Sequence, residues 1–264
     1  MKKRRTLLER SIDDVQDIKC AAGSSHTLQT CKIDNSEFFL KWTDSSYTDG
    51  SIDPNLQILV EYIAYVVYAQ YSGVKIPENF EVIVNKRTGK IGLATQKVSG
   101  EIARRAVDDF KLGKMVSKGV FVDILLANWD VIGMGKDNIM ISGEDAYRID
   151  PGGALTFRAQ GSRKGKNFSE KAGELKTMLS PGTGAGQIFA SSDLKDAAST
   201  FLMVDWSQIE SAILEKNRKI EEELYDSGMK ETAANWSVEL HEIITKLKSR
   251  YEDVKNHAIW VLKN

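Results

Sequence analysis

Hydrophobic periodicity changes near residue 100, and that change limits the fold more than any other feature of the chain. Before it, apolar residues alternate in short runs. Residues 36–43 (SEFFLKWT) read as a strand with Phe38, Leu40 and Trp42 on one face and Phe39 and Lys41 on the other. Segments 16–22 and 26–33 read as further strands around the small-residue turn Gly23-Ser24-Ser25, and 80–84 and 90–96 as a hairpin around 85–89. Residues 1–19 carry charges too mixed for more than a short helix or arm. The exception in this half is 55–71, a helix with Pro54 in its first turn and Gly73 and Pro77 as its stop.

Beyond residue 100 the helical period takes over. Val116, Val120, Phe121, Ile124 and Leu125 predict a helix over 107–128, weakened by Gly119. Trp206, Ile209, Ile213, Ile220 and Leu224 mark a second helix; Val238, Leu240, Ile244, Leu247, Tyr251 and Val254 mark a third. Between the first and the second lie two short strands, 139–141 and 146–149, joined by a turn at 142–145, and then a Gly-rich, basic stretch over 151–190. The methionines and Trp206, Trp236 and Trp260 are expected to pack between helices. The expectation is an α+β chain with a strand-rich lobe over 1–98 and a mostly helical lobe over 99–264.

Charge excludes little. The 264 residues carry 36 Lys and Arg against 37 Asp and Glu, a net of −1, so no whole-chain nucleic-acid footprint is expected. Two cysteines, Cys20 and Cys31, make no disulfide framework. Thr6–Arg10 is not the apolar core of a secretory leader. No apolar run reaches the ~18–20 residues that span a bilayer. The expected compartment is the cytoplasm.

Residues 128–153 (NWDVIGMGKDNIMISGEDAYRIDPGG) carry the chemistry. In a regular hairpin centred near residue 144, Asn138 and Asp150 face each other, with Cβ atoms roughly 4.5–5.5 Å apart. One carboxylate and one amide oxygen there can share Mg²⁺, which completes its shell with phosphate oxygens and water. Asp130, eight residues before Asn138, is placed to accept a proton from an attacking hydroxyl. Taken singly, each of these is an ordinary turn former; the joint spacing carries the reading.

A second pair lies in the first lobe. A strand lysine is usually solvent-facing, and a helical glutamate usually meets water. Glu61, however, sits among Ile58, Tyr62, Ala64 and Tyr65, where burial is costly without a partner. An ion pair with Lys41 answers this and aims an ammonium at phosphates. The Gly23-Ser24-Ser25 turn lets backbone N–H groups approach phosphate oxygens.

Glycine-containing turn, strand Lys, helix Glu, loop Asp, Asn, then an Asp followed by Gly is the order of the protein-kinase-like fold. Over roughly residues 15–160 the chain resembles its atypical branch, which includes HipA-like and phosphatidylinositol-kinase-like enzymes. The segment YRIDPGGALTFRAQG is similar to stretches of kinase-like proteins from bacteria and their viruses.

The resemblance implies a two-lobed fold and ATP-dependent transfer of the γ-phosphate to a hydroxyl, on a protein Ser or Thr or on a small molecule. It implies that Lys41 contacts ATP phosphates, Glu61 holds Lys41, Asp130 is the base, and Asn138 and Asp150 hold Mg²⁺. It places the adenine on the backbone of Gln96, Lys97 and Val98.

The departures are specific. Asn128-Trp129-Asp130 replaces H-R-D, and the Asp-to-Asn interval is eight positions instead of five. The loop must bulge, and Asp137 rivals Asp130. Pro151 stands where D-F-G has Phe, and the first turn lacks a full G-x-G-x-x-G. Two alternatives therefore stand beside the kinase: a pseudokinase that binds nucleotide or a partner without turnover, and a nucleotidyl transferase moving AMP.

The run Arg158, Arg163, Lys164 and Lys166 is either a solvated basic loop or a grip on an acidic or phosphate-bearing substrate. Residues 182–186 (GTGAG) lack the Lys-Ser/Thr of a phosphate loop and read as a flexible loop; His241-Glu242 lacks the second His of a zinc motif.

Overall fold

The alternating segments pair into one antiparallel sheet. The computed structural model describes residues 16–21, 27–33, 36–43, 53–86 and 88–264. Gly23-Ser24-Ser25 and most of the expected arm over 1–19 lie outside the described residues. β1 (Gln16–Ala21), β2 (Thr27–Ile33), β3 (Ser36–Trp42), β4 (Phe80–Asn85) and β5 (Lys90–Gln96) join in the order β1-β2-β3-β5-β4. Phe38, Leu40 and Trp42 pack with Cys31, Ile83 and Ala94 in a small core on one face. Val82, Val84, Ile91 and Leu93 belong to the main core with helix α1 (Asn55–Tyr68). Lys41 pairs in register with Leu93, so its side chain faces the α1 side of the sheet.

α1 is buried along its whole length. Apolar side chains run round it, and its few polar ones, Asn55, Gln57 and Glu61, are buried too, so it has no solvent face. It packs on β4 and β5, and also against α8 (Trp206–Asp226) and α9 (Lys230–Lys263). The helix ends at Tyr68, because the next amides turn back to nearer carbonyls: Gln70 to Val67 and Tyr71 to Tyr68.

A second sheet joins β6 (Glu101–Ile102), β7 (Ile139–Ser142) and β8 (Asp145–Arg148). Ser142 pairs with Asp145 across the two-residue turn Gly143-Glu144, with Gly143 at φ +62°. Glycine at the first central position suits the turn type that matches strand twist. This turn centres half a residue earlier than expected and shifts every pair by one. Asn138 therefore faces Ile149, whose amide donates to its carbonyl at 3.0 Å. The expected facing pair of Asn138 and Asp150 is not formed; Asp150 lies beyond the end of the strand.

The remaining helices are α2 (Ala103–Ala106), α3 (Asp109–Val116), α4 (Val120–Leu125), α5 (Glu174–Thr177), α6 (Gly184–Phe189) and α7 (Leu194–Leu202). The single helix expected over 107–128 is broken by a 3-10 turn at Ser117–Gly119. The break has a cause: a side chain at Gly119 would overlap the Arg148 guanidinium. Arg148 donates to the Val116 carbonyl at the end of α3 (3.0 Å) and to both Asp123 oxygens on α4 (2.7 and 2.6 Å).

Residues 182–186 are likewise not a free loop. The Thr183 hydroxyl accepts from the Gly186 amide and caps α6. Trp236 is fully buried and donates to Asn217, joining α9 to α8, and Trp206 is partly buried. Trp260, Met134 and Met203 are exposed, contrary to expectation. No helix among the described residues is long and apolar enough to cross a membrane.

Arg250, on α9, is fully buried and spends its whole fork of donors. Nε and Nη2 reach the Leu125 and Ile124 carbonyls at the end of α4, at 2.8 and 2.6 Å. Nη1 reaches the Ser169 and Lys171 carbonyls, and Nη2 also reaches Glu174 at 2.7 Å. Removing one partner of a buried pair strands the other charge. Arg250→Met is therefore expected to cost about 3–5 kcal/mol and lower Tm by roughly 6–20 °C, read by thermal or urea unfolding. Arg218→Met, which breaks only an exposed pair with Glu222, serves as the near-neutral control.

Candidate active site

The strand lysine and the helical glutamate meet because Lys41, in register with Leu93, faces the side of the sheet on which α1 packs against β5 and β4. Lys41 Nζ lies 2.8 Å from Glu61 Oε2 and 3.1 Å from Asp150 Oδ1. Glu61 is 3% exposed, while the Asp150 side chain is half exposed. Burial disfavours the Lys41 charge, but Asp150 and Glu61 outweigh it and hold the amine well above its usual range. Burial pushes the Glu61 carboxyl up; Lys41 pulls it back only in part, and the Asp150 charge adds to the rise.

Two further features place Asp150. Tyr65, one turn after Glu61 on α1, donates its hydroxyl to the Ile149 carbonyl at 2.7 Å. The Gly152 amide donates to Asp150 Oδ1 at 3.1 Å. A side chain at Gly152 would press on all three charged atoms, with its Cβ 3.0 Å from Lys41 Nζ and Asp150 Oδ1 and 3.1 Å from Glu61 Oε2. Sequence reasoning missed both. The i, i+4 spacing of Glu61 and Tyr65 was the available signal for the first.

Asp130 and Asn138 meet on the next loop. Asn138 Nδ2 donates to the Asp130 main-chain carbonyl at 2.6 Å and to its carboxylate at 3.2 Å. Both partners are acceptors, so the amide nitrogen must face them and Oδ1 is turned away. The eight-residue interval is taken up by two successive turns, Gly133 to Asp130 and Lys136 to Gly133. Asp137 lies close against Gly133. Burial raises the Asp130 carboxyl; the Asn138 bond opposes this, while Asp150 and Asp137 reinforce it. Asn138 thus bonds Asp130 directly, while Asp150 acts on it only through its charge, and the two do not face each other across the hairpin.

The loop is braced from behind. Asn128 donates to the Tyr68 hydroxyl at 3.0 Å, and Tyr68 donates to Asp123 at 2.8 Å. Trp129 Nε1 donates to Glu174 at 2.8 Å, the acid that pairs with Arg250. Ala127 sits at φ +50°, a conformation that L residues avoid, and Lys164 donates to its carbonyl at 2.5 Å. On the Trp129 side a cavity of about 450 Å³ opens between this loop and the 177–188 segment.

The remaining expected residues separate. The Gln96 amide is spent on the Asn79 carbonyl and the Lys97 amide on the Glu37 carbonyl, leaving Val98 as the next one along. The basic run does not form one patch. Arg163 is turned to Glu239 at 2.7 Å, Lys164 is buried, and Arg158 and Lys166 are exposed. Among the described residues no group of three or more Asp, Glu, His or Cys side chains could hold a metal.

A strand-rich sheet, a helix carrying the lysine's partner, and acids on loops above a helical half make up an α+β, kinase-like fold. The crystal structure of a proinflammatory kinase from Helicobacter pylori, CtkA, superposes with a TM-score of 0.51 over 95% of this chain and 97% of that one, at 14% identity. At that identity the likeness is one of fold. No family model and no curated protein sequence matches the chain.

The two partners of Lys41 should separate in stability. Glu61→Gln removes the buried counter-charge and is expected to cost about 1.5–3 kcal/mol in urea unfolding. Asp150→Asn, at a half-exposed carboxylate, should cost less than about 1 kcal/mol. The reverse order would make Asp150 the anchor of Lys41.

Proposed function

We propose that the chain is an ATP-dependent phosphotransferase that moves the γ-phosphate to a hydroxyl with Mg²⁺. The observation that carries this reading is the Lys41 ammonium shared between Glu61 and Asp150, with the Asp130–Asn138 pair alongside. Residues 1–98 are read as the nucleotide lobe and 99–264 as the catalytic lobe. The adenine falls to the backbone at Val98, since the Gln96 and Lys97 amides are engaged. Acceptor classes are a protein Ser or Thr, as for HipA-like enzymes, or a small hydroxyl compound.

The donor set fits magnesium. Asp150 offers an exposed carboxylate and Asn138 an amide oxygen turned away from Asp130; a hard cation that keeps phosphate and water ligands needs few from the protein. When bound, the ion neutralises charge on the phosphate oxygens. Lys41, held charged by Asp150 and Glu61, binds phosphate oxygens. Asp130, oriented by Asn138, accepts the proton of the acceptor hydroxyl. The contribution of these residues is positioning and charge stabilisation.

Asp130→Asn is expected to preserve ADP affinity and lower turnover about 10²–10⁴-fold, the usual worth of a positioned base. Lost affinity with intact turnover would remove Asp130 from the role. Asp150→Ala is expected to abolish Mg²⁺-dependent turnover. Incubation with α- and γ-labelled ATP should transfer only the γ label to an acceptor; α-label transfer would make the chain a nucleotidyl transferase, and binding without transfer a pseudokinase.

A further inference from the structure

Lys164 is the buried cation that this reading leaves unused. Arg148 and Arg250, buried like it, each touch a carboxylate. Among the described residues Lys164 has only a main-chain carbonyl, that of Ala127. Burial lowers its amine to about 7; Glu174 and Asp130 pull upward, while Arg250 and Arg158 push down. Its side chain walls a cavity of about 150 Å³ together with Asp130, Gly153, Arg158 and Asn167. None of Lys41, Glu61, Asn138 and Asp150 lines that cavity, so it lies off the ion triad. Two basic residues and one amide residue line it beside a single acid, with Trp129 and Ala159 completing the wall.

We propose that this cavity is an anion subsite of the acceptor: Arg158 and Lys164 hold an oxyanion, phosphate or carboxylate, that the acceptor carries beside its reacting hydroxyl. The inference rests on the phosphotransfer reading for the role of Asp130, and it narrows the acceptor to hydroxyl compounds or protein segments with a neighbouring negative group. The guanidinium of Arg158, an exposed residue of the lining, supplies paired donors to an oxyanion. The buried Lys164 amine gains its proton as the anion arrives, since an opposite charge favours the charged form. A neutral acceptor would leave both heads unmatched.

Sulfate serves as the probe, because it stays dianionic between pH 6 and 8. Its binding to the full chain is measured calorimetrically, with and without saturating Mg-ADP. The expected result is a site whose affinity falls about tenfold or more in Arg158→Ala, the worth of one charge-assisted hydrogen bond. That affinity should be unaffected by Mg-ADP and should tighten from pH 8 to 6. Lys164→Met should remove the pH dependence. Arg158 is exposed, so its variant decides the matter even where Lys164→Met fails to fold. Sulfate binding indifferent to Arg158→Ala overturns the proposal, as does Arg158-dependent binding that Mg-ADP displaces, which would give the cavity to the nucleotide. Arg158-dependent sulfate binding in a chain that binds no ADP would keep the subsite and sink the phosphotransfer reading instead.

Discussion

A positive charge placed out of water must be matched, and the architecture around Lys41 follows from that requirement. The ammonium sits at the junction of the sheet and α1, where desolvation disfavours charge. Glu61 supplies one counter-charge from the helix and Asp150 a second from the chain leaving β8. Each partner is fixed in turn. Glu61 rides on a helix buried all round, and Asp150 is set by the Tyr65 hydroxyl and the Gly152 amide. One ion cluster thereby ties three distant stretches of chain.

Polar groups carry the support behind it as well. Arg148 joins the end of α3 to α4, while Asp123, Tyr68 and Asn128 extend that contact to the loop before Asp130. Arg250 holds the far end of α4 and, through Glu174, the Trp129 indole. A six-residue helix is thus held by two buried arginines, one on its Asp123 side chain and one on its last carbonyls. A helix so short has little stability of its own; these two side chains give the Asp130 loop a rigid base.

Much of this was legible in the sequence, and the failures have physical reasons. The alternation over 36–43 gave the sheet face, and Glu61 in an apolar helix announced a buried partner. The contact of Lys41 with Asp150 was not legible, because it depends on where the chain turns after β8. The hairpin register was missed by one residue because the turn centres between Gly143 and Glu144 and not on residue 144, and in a sheet one residue reverses the facing set. The break at Gly119 was visible as a weak helix position but not as room for Arg148, which comes from another sheet. The basic run left a solvated loop and a substrate grip both open; Arg163 turns to Glu239 while Arg158 and Lys164 line one cavity, and local sequence says nothing about that division. Arg250 gave no signal at all: an arginine on a long amphipathic helix ordinarily faces water.

The enclosure of α1 has a consequence for control. A helix that contacts the sheet on one side and two long helices on the other cannot swing outward without opening the core. Its backbone amides belong with the slowest-exchanging class, released only when the whole molecule opens. An on–off device built on tilting this segment is therefore foreclosed, and any restraint on the chemistry has to act at the loops that border the cleft.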